Sequence, residues 1–233
     1  MDRRQFPLPP RTPGPPPRPP RPPRSRRVLD AEQIIDVTLR IIDVDGTDAV
    51  TMRRLASDLG VTASSLYQHV RSREDLLALA HGRVSEEVGP VPDTGDLRAD
   101  LHEHYLRMHR VLTAHGDIAR LDFAAVPSGI GDFEDLEVLL GRLLDAGIGS
   151  RRAMWAVDRL LLYTAADVYE NWLFRTRTAP EMEAWTTRVR AHLESGGENP
   201  FPRVTSLMGT MAEGDVEERY LLGLDLLLEG LLP

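Results

Sequence analysis

From residue 30 onward, apolar side chains recur at three- and four-residue intervals, the spacing that places them on one face of a helix. No segment sustains the two-residue alternation of a half-buried strand. The pattern therefore predicts an all-α fold. The first third is predicted to form four short helices that end near Val88. Later helices are predicted near residues 97–115, 118–125, 133–146, 150–175, 179–194 and 215–231, with a glycine- and proline-rich loop at 194–203.

Polar residues mark where the four short helices begin. Asp30, Thr51, Thr62 and Ser72 each precede an apolar helical pattern, and all are residue types that cap helix N-termini. Asp30 also has Gln33 three positions on, which predicts a capping box. Because few residues separate one helix from the next, the four are expected to form one compact unit.

The third of these helices is short and polar. If residues 63–69 form a helix turning about 100° per residue, with Leu66 facing the core, then Ser64 and Gln68 point outward and Tyr67 lies beside them. The preceding helix meets this one across a three-residue turn that contains a glycine, which is typical of a helix-turn-helix.

A helix-turn-helix places its second helix in the major groove of DNA. Small residues at the tip allow close approach to base edges, and a glutamine can pair bidentately with adenine. Residues 51–73 carry four arginines against Asp58, a net charge of +3 that favours phosphate contact. Two alternatives stay open: the shape also occurs as plain helical packing, and Tyr67 and His69 could be core residues with one wet edge.

Charge is distributed unevenly along the chain, whose net charge is −8. Residues 1–27 hold eight arginines against Asp2, whereas the rest holds 20 arginines against 35 acidic residues. The same 27 residues contain most of the prolines, which predicts an extended, disordered arm. A basic arm on an acidic body indicates a polyanionic partner. Its PxxP repeats also resemble SH3 ligands, so an interaction scaffold is a further alternative.

Length and composition set the remaining limits. The 233 residues suffice for a sizeable core, and we predict an arm over 1–27, a helix-turn-helix domain over 28–88, a linker over 89–96 and a second helical domain over 97–233. The absence of cysteine excludes disulfides and thiolate chemistry. No apolar run is long enough for a membrane span and no signal peptide is evident, so a cytoplasmic protein without membrane contact is expected.

The stretch TMRRLASDLGVTASSLYQHVRSREDLL resembles the DNA-binding domain of the tetracycline-repressor (TetR) family, above all in LYQHVRSR at residues 66–73. Two later stretches, at 132–148 and near the end, are similar to the C-terminal domain of the tetracycline repressor's own branch. The resemblance implies a ligand-responsive dimeric repressor that binds a double-stranded DNA operator, controls an exporter or metabolite genes, and is released by a hydrophobic or polycyclic small molecule.

The resemblance also implies roles for individual residues. Those expected to face base edges are Arg53, Ala63, Ser64, Ser65 and Gln68, and those expected to hold phosphates are Thr51, Tyr67, His69 and Arg73. Arg26 and Arg27 precede the first helix and are placed to follow the DNA backbone into the minor groove.

Aromatic residues concentrate between 155 and 185 of an otherwise aromatic-poor chain. Aromatic groups with polar handles favour planar, amphipathic ligands, although any one of them could instead be a core or dimer residue. The predicted ligand-binding residues are Met108, His104, Phe123, Trp155, Tyr163, Tyr169 and Trp172, with Asp122 as a further candidate. Relatives that bind a metal–tetracycline chelate use a histidine where this chain offers Asp122. Glu170 is a conceivable partner, but no metal and no cofactor is predicted.

The last predicted helix, RYLLGLDLLLEGLL, is apolar on nearly every side. Such a helix must be covered all round, and a second copy of the chain is the simplest cover. Leu221, Leu224, Leu227 and Leu228 are therefore predicted to form a homodimer interface, which family members build by pairing this helix with the long helix near 150–175. A core helix in a monomer is the alternative.

Enzymatic motifs are not found: the chain has no nucleophile elbow, phosphate-binding loop or dinucleotide fingerprint. An architectural DNA-binding protein without a ligand would fit the arm and the helix-turn-helix but would not need an aromatic-rich second domain. The sequence therefore favours a ligand-responsive regulator over an enzyme.

Overall fold

A computed structural model describes residues 29–123, 130–177, 179–194 and 201–232. Within those ranges the chain is helical and contains no strand, so the predicted all-α fold is confirmed. The α-helices are α1 Ala31–Asp45, α2 Met52–Leu59, α3 Ala63–Leu66, α4 Arg73–Val88, α5 Leu97–Ala114, α6 Ile130–Asp145, α7 Ser150–Thr176, α8 Ala179–Glu194, α9 Pro202–Leu207 and α10 Val216–Leu231. Short 3₁₀ turns occur at Thr47–Ala49, Ile118–Asp122 and Met208–Ala212. The predicted arm lies outside the described residues.

Capping residues define the starts of α2, α3 and α4 as predicted. Thr51 Oγ1 accepts the amide of Arg54 at 3.1 Å, Thr62 Oγ1 accepts that of Ser65, and the Ser72 hydroxyl accepts that of Asp75. Each bond satisfies an amide that the helix itself leaves unpaired. At α1, Asp30 occupies the predicted N-cap position, but its side chain makes no cap hydrogen bond, so the predicted capping box was wrong.

Three predicted segments differ from what is observed. The predicted helix over 63–69 is α-helical only to Leu66 and then tightens, with His69 N bonding to Leu66 O at 2.8 Å. The predicted helix over 118–125 is a five-residue 3₁₀ turn. The segment after 201, predicted as loop to 203, forms α9 instead, opened by Pro202 at its first turn.

The hydrophobic core does not stop at the predicted domain boundary. The core beneath α1–α4 also takes in Leu112 of α5, Ile118 and Ala119 of the second 3₁₀ turn, and Val168 of α7. A second core joins α5, α6, α7 and α10. Because both cores use α5 and α7, the helix-turn-helix domain is packed onto the second domain.

A buried aspartate fastens this junction. Asp117 is 1% exposed and accepts hydrogen bonds from the amide of Thr47 at 2.6 Å and from its hydroxyl at 3.0 Å. Arg120 binds the same carboxylate at 3.1 Å and reaches Asp48 at 3.0 Å. These contacts hold the turn that leads into α2 against the second domain.

Candidate reading surface and ligand cavity

We call the exposed side chains around α2 and α3 the reading surface. Its members are Thr51, Arg53, Ala63, Ser64, Tyr67, Gln68 and His69. Two buried residues support it from below, Leu66 at 0% and Val70 at 4% exposure. Gly60 adopts a left-handed φ of 68°, which allows the sharp turn that brings α2 and α3 together. The predicted outward face is thus exposed despite the shortness of α3.

The tip of α3 carries a cluster of hydroxyls. Thr62 Oγ1 lies 2.9 Å from Ser64 Oγ and 3.0 Å from Ser65 Oγ. Ser65 is half-buried, whereas Ser64 is exposed. Hydroxyls keep both donor and acceptor capacity while they bond to each other, so the cluster can still pair with an approaching base or phosphate.

Neighbouring arginines at the start of α2 are used differently. Arg54 pairs with Asp45 and with Asp58, at 3.8 Å from the latter. Arg53 is exposed and has no ion-pair partner among the described residues. Arg53 is therefore the arginine of the two that is available to another molecule.

The Arg73 guanidinium is engaged by groups of its own chain. Its Nε donates to Val50 O and its Nη2 to Thr47 O, both at 2.8 Å, and the guanidinium lies 3.7 Å from Asp48. The side chain thus turns inward and holds the turn before α2, and its phosphate role stays a prediction. By contrast, Tyr67 is 55% exposed and His69 is exposed, which removes the alternative that they are core residues. Arg26 and Arg27 lie outside the described residues.

A cavity of about 550 Å³ lies between α4, α5, the Ile118–Asp122 turn, α6 and α7, within the size range of small-molecule sites. Its apolar lining comprises Leu77, Ala78, Val88, Met108, Leu112, Leu121, Leu136, Leu139, Val157 and Leu161. Its polar or partly polar lining comprises Arg73, Glu74, His81, Ser85, His104, Tyr105, Asp122 and Asp135.

Two of the predicted ligand residues line this cavity, Met108 and His104. His104 is 1% exposed, and neither of its ring nitrogens has a hydrogen-bond partner. Burial, with a smaller contribution from Arg107, lowers the pKa of His104 to about 4, so the ring is neutral near neutral pH. A neutral imidazole has one donor and one acceptor, and both are unused here.

Asp122 forms the second polar feature of the cavity. Its Oδ1 lies 2.7 Å from His81 Nε2, a bond that joins α4 to the 3₁₀ turn. Its side chain is 7% exposed, and Oδ2 is buried without a hydrogen-bond partner. Asp122 is among the predicted ligand candidates, whereas His81 was not predicted; its one signal in the sequence is a histidine amid the apolar face of α4.

The other predicted ligand residues do not line the cavity. Tyr163 donates to Tyr220 O at 2.9 Å and stacks on the Tyr220 ring, and burial raises its pKa to about 12. Gly223 leaves room for it, since a Cβ there would lie 2.0 Å from the Tyr163 hydroxyl. Tyr163 thus packs α7 against α10.

The remaining aromatic residues lie in two other places. Tyr169 stacks on Trp172 and meets Phe123 edge-on, with ring centroids 5.9 and 5.7 Å away. Trp155 is 63% exposed, with Arg151 over its ring. The aromatic residues of this region therefore lie in a cluster and on an exposed face of α7. Because Phe123, Trp155, Tyr169 and Trp172 do not line the cavity, their role in ligand binding stays a prediction.

Two faces of α10 differ in exposure, which corrects part of the predicted dimer interface. Leu224 and Leu228 are fully buried in the chain's own core, so their side chains cannot contact a second copy. Leu221 packs partly against that core. Leu227 is partly exposed, and the most exposed leucines of the helix are Leu222 and Leu226, which the sequence did not single out.

Among the described residues, no group of three or more histidine, cysteine, aspartate or glutamate side chains could hold a metal ion. None of the described helices is long and apolar enough to cross a membrane.

Comparison with known proteins gives matches over nearly the whole described chain. Residues 34–80 match the family described as bacterial regulatory proteins, tetR family, and residues 89–233 match the tetracyclin repressor-like C-terminal domain. The tetracycline repressor protein class C of Escherichia coli is 28% identical over 206 residues, covering 87% of this chain and 90% of the relative.

Solved structures give the same result. The TetR family protein ActR of Streptomyces coelicolor in complex with actinorhodin is 30% identical, with a TM-score of 0.75 and coverage of 88% of this chain and 96% of that one. The same protein in complex with (S)-DNPA has a TM-score of 0.73 at 30% identity, with coverage of 87% and 96%. These neighbours carry both a similar fold and bound small molecules.

Proposed function

The chain belongs to the TetR family of transcriptional regulators, which are not enzymes, and on that premise we propose that it is a homodimeric repressor released from its operator by a small molecule. The operator is palindromic, because a two-fold dimer presents two identical reading surfaces. The releasing molecule is hydrophobic or polycyclic, and the regulated genes encode an exporter or enzymes of its metabolism. The protein acts in the cytoplasm, where the DNA is.

The observation that carries this proposal is the position of α4. Ser72 and Arg73 start this helix three residues after His69 of the reading surface, and Leu77, His81 and Val88 of the same helix line the cavity. A molecule that enters the cavity touches α4 directly. Since Leu76 and Val84 of α4 belong to the core under the reading surface, any shift of α4 is passed to α3.

DNA contacts follow from the exposure of the reading surface. We assign Arg53, Ala63, Ser64, Ser65 and Gln68 to base edges, and Thr51, Tyr67 and His69 to phosphates. Arg73 is left out of this assignment because its guanidinium is engaged by Thr47 O and Val50 O.

Dimerisation is assigned to the exposed apolar faces of α7 and α10. Leu222 and Leu226 are 64% and 62% exposed, and Trp155 and Leu162 of α7 are exposed as well. On α10 the exposed pair follows the buried residues Tyr220 and Leu224 by two positions, about 200° around the helix. One face of α10 therefore closes the chain's own core, and the opposite face is open to a second copy.

The test is a pair of substitutions on the two faces. Leu226→Arg should give folded monomers by sedimentation, because a charge would enter an apolar interface, and operator binding should fall with the loss of dimers. Leu224→Arg, the matched control on the buried face, should unfold the chain instead. A Leu226→Arg protein that remains dimeric would remove this interface from the proposal.

Release is tested on the dimer itself. A dimer that binds operator and that no hydrophobic small molecule displaces would favour the architectural alternative, a DNA-binding protein without a ligand.

A further inference from the structure

Asp122 Oδ2 is a buried acceptor without a donor. The carboxylate is 7% exposed, one oxygen accepts from His81, and the other faces no hydrogen-bond donor. An ionised carboxylate can only accept hydrogen bonds. A buried acceptor that receives no hydrogen bond destabilises the folded chain. The group that completes this site must therefore bring a hydrogen-bond donor, a hydroxyl or an ammonium.

His104 supplies a complementary but uncharged contact. Both ring nitrogens are buried and unpartnered on the cavity lining, and burial holds the pKa of the ring at about 4. Near neutral pH the imidazole can donate one hydrogen bond to a carbonyl or hydroxyl oxygen, but it brings no positive charge.

The charges around the cavity disfavour a ligand anion. Glu74 and Asp135 are acidic members of the lining beside Asp122. Arg73 is the arginine on this lining, and its guanidinium already binds two carbonyls and lies 3.7 Å from Asp48. A buried ligand carboxylate would lie near the Asp122 carboxylate, and the arginine of the lining is already bound elsewhere. Burying a charge without an opposite charge beside it is strongly unfavourable.

From these observations we infer that the cavity selects an uncharged or cationic ligand, with a largely apolar body and a hydroxyl or ammonium donor directed at Asp122 Oδ2, and that it discriminates against carboxylates. This inference rests on the proposed ligand-responsive function and adds the chemical class of the ligand. Leu77, Leu139, Val157 and Leu161 receive the apolar body, and His104 receives a second polar group of the ligand.

Three probes that share one tricyclic body test the inference: 2-methylanthraquinone, 2-(hydroxymethyl)anthraquinone and anthraquinone-2-carboxylate. All three offer ring carbonyls to His104 but differ in the group available to Asp122. Titration of the full chain near neutral pH should show that the hydroxymethyl compound binds about tenfold tighter than the methyl compound. A hydrogen bond to a charged acceptor increases affinity by about that factor. The carboxylate should bind weakest of the three.

Asp122→Asn isolates the carboxylate, because the amide keeps an oxygen for the His81 hydrogen bond and changes little in shape. In this variant the hydroxymethyl preference should shrink to about threefold or less, and carboxylate binding should strengthen. Asp135→Asn is the matched control: it removes the same charge from the same lining and should leave the ranking of the probes unchanged.

Several outcomes would overturn the inference. They are carboxylate binding to the unmodified chain as tight as hydroxymethyl binding, an unchanged ranking in Asp122→Asn, or no saturable binding of any probe. Binding that requires added Mg²⁺ would also overturn it, by assigning Asp122 to a chelated metal.

Operator release, measured separately, distinguishes this inference from the proposed function. Probes that bind in the expected order but release no operator would contradict the proposed function and leave the ligand class standing. Release of the operator by the carboxylate in preference to the hydroxymethyl compound would contradict the ligand class and leave the proposed function standing.

Discussion

The reading surface and the cavity treat polar side chains in opposite ways. On the reading surface, Arg53, Ser64 and Gln68 are exposed, so water satisfies them until another molecule replaces it. In the cavity, His104 and Asp122 are buried, and His104 makes no hydrogen bond at all. Unsatisfied buried polar groups destabilise the folded chain, whereas exposed ones have almost no effect on it. The unsatisfied polar groups of the cavity therefore lower the stability of the chain, whereas those of the reading surface do not. Such a difference is expected of a site that binds a buried ligand.

The largest effect is expected beneath the reading surface. Leu66 is fully buried, and Leu66→Asn should lower the free energy of unfolding by about 3 to 5 kcal/mol, since it removes packing and buries an amide. Denaturant unfolding measures this. The control is Gln68→Asn, two residues away and exposed, which should change stability by less than about 0.5 kcal/mol. Similar losses in both variants would contradict the division into a buried support and a solvated face.

The next effect concerns DNA and sharpens the role of the exposed side. Arg53→Ala and Gln68→Ala should each weaken operator binding by about 1 to 3 kcal/mol and relax base preference at one position. Stability and binding to random DNA should barely change. Arg54→Ala is the matched control, because Arg54 is engaged by Asp45 and Asp58, and it should leave base preference intact. Equal losses on operator and random DNA would leave these residues as phosphate contacts only.

On the cavity side, pH provides the probe. Burial lowers the pKa of His104 to about 4 in the folded chain, below the 6.5 of an unperturbed histidine, so the unfolded chain binds a proton more readily. Its contribution to stability is thus lost as pH falls below about 6.5. Between about pH 7 and pH 5 this should lower the free energy of unfolding by about 2 kcal/mol.

His104→Leu is the comparison for that measurement. This variant should be somewhat more stable than the unmodified chain at neutral pH, because it removes two unsatisfied nitrogens. Between about pH 7 and pH 5, it should lose about 2 kcal/mol less stability than the unmodified chain loses. Operator affinity should not change. Parallel pH profiles for the two proteins would show that His104 is satisfied in solution and would remove the contrast with the reading surface.

The smallest effect tests whether the reading surface is the whole DNA contact. Residues 1–24 hold six arginines outside the described residues, and Arg26 and Arg27 follow them. If the arm follows the minor groove, deletion of residues 1–24 should flatten the slope of log K against log salt by roughly two to four units per dimer. Dimerisation and ligand affinity should stay the same. An unchanged slope on a long operator fragment would indicate a passive or protein-docking arm.

Local sequence determined the helix-turn-helix well. The caps at Thr51, Thr62 and Ser72 and the exposed positions around Leu66 depend on contacts within about four residues, and helical periodicity records such contacts directly. The all-α fold followed for the same reason. The Asp30 cap failed although its sequence pattern was as good, because a cap also needs a suitable side-chain geometry.

Tertiary packing decided the rest. Leu224 and Leu226 look alike in the sequence, but one faces the chain's own core and the other faces outward, and only the position of α7 distinguishes them. Arg73 turns inward because Thr47 O and Val50 O lie within reach. The cavity brings together His81, His104 and Asp122 from three separate elements. Their proximity depends on how α4, α5 and the 3₁₀ turn pack together, and the sequence periodicity within each element does not predict that packing.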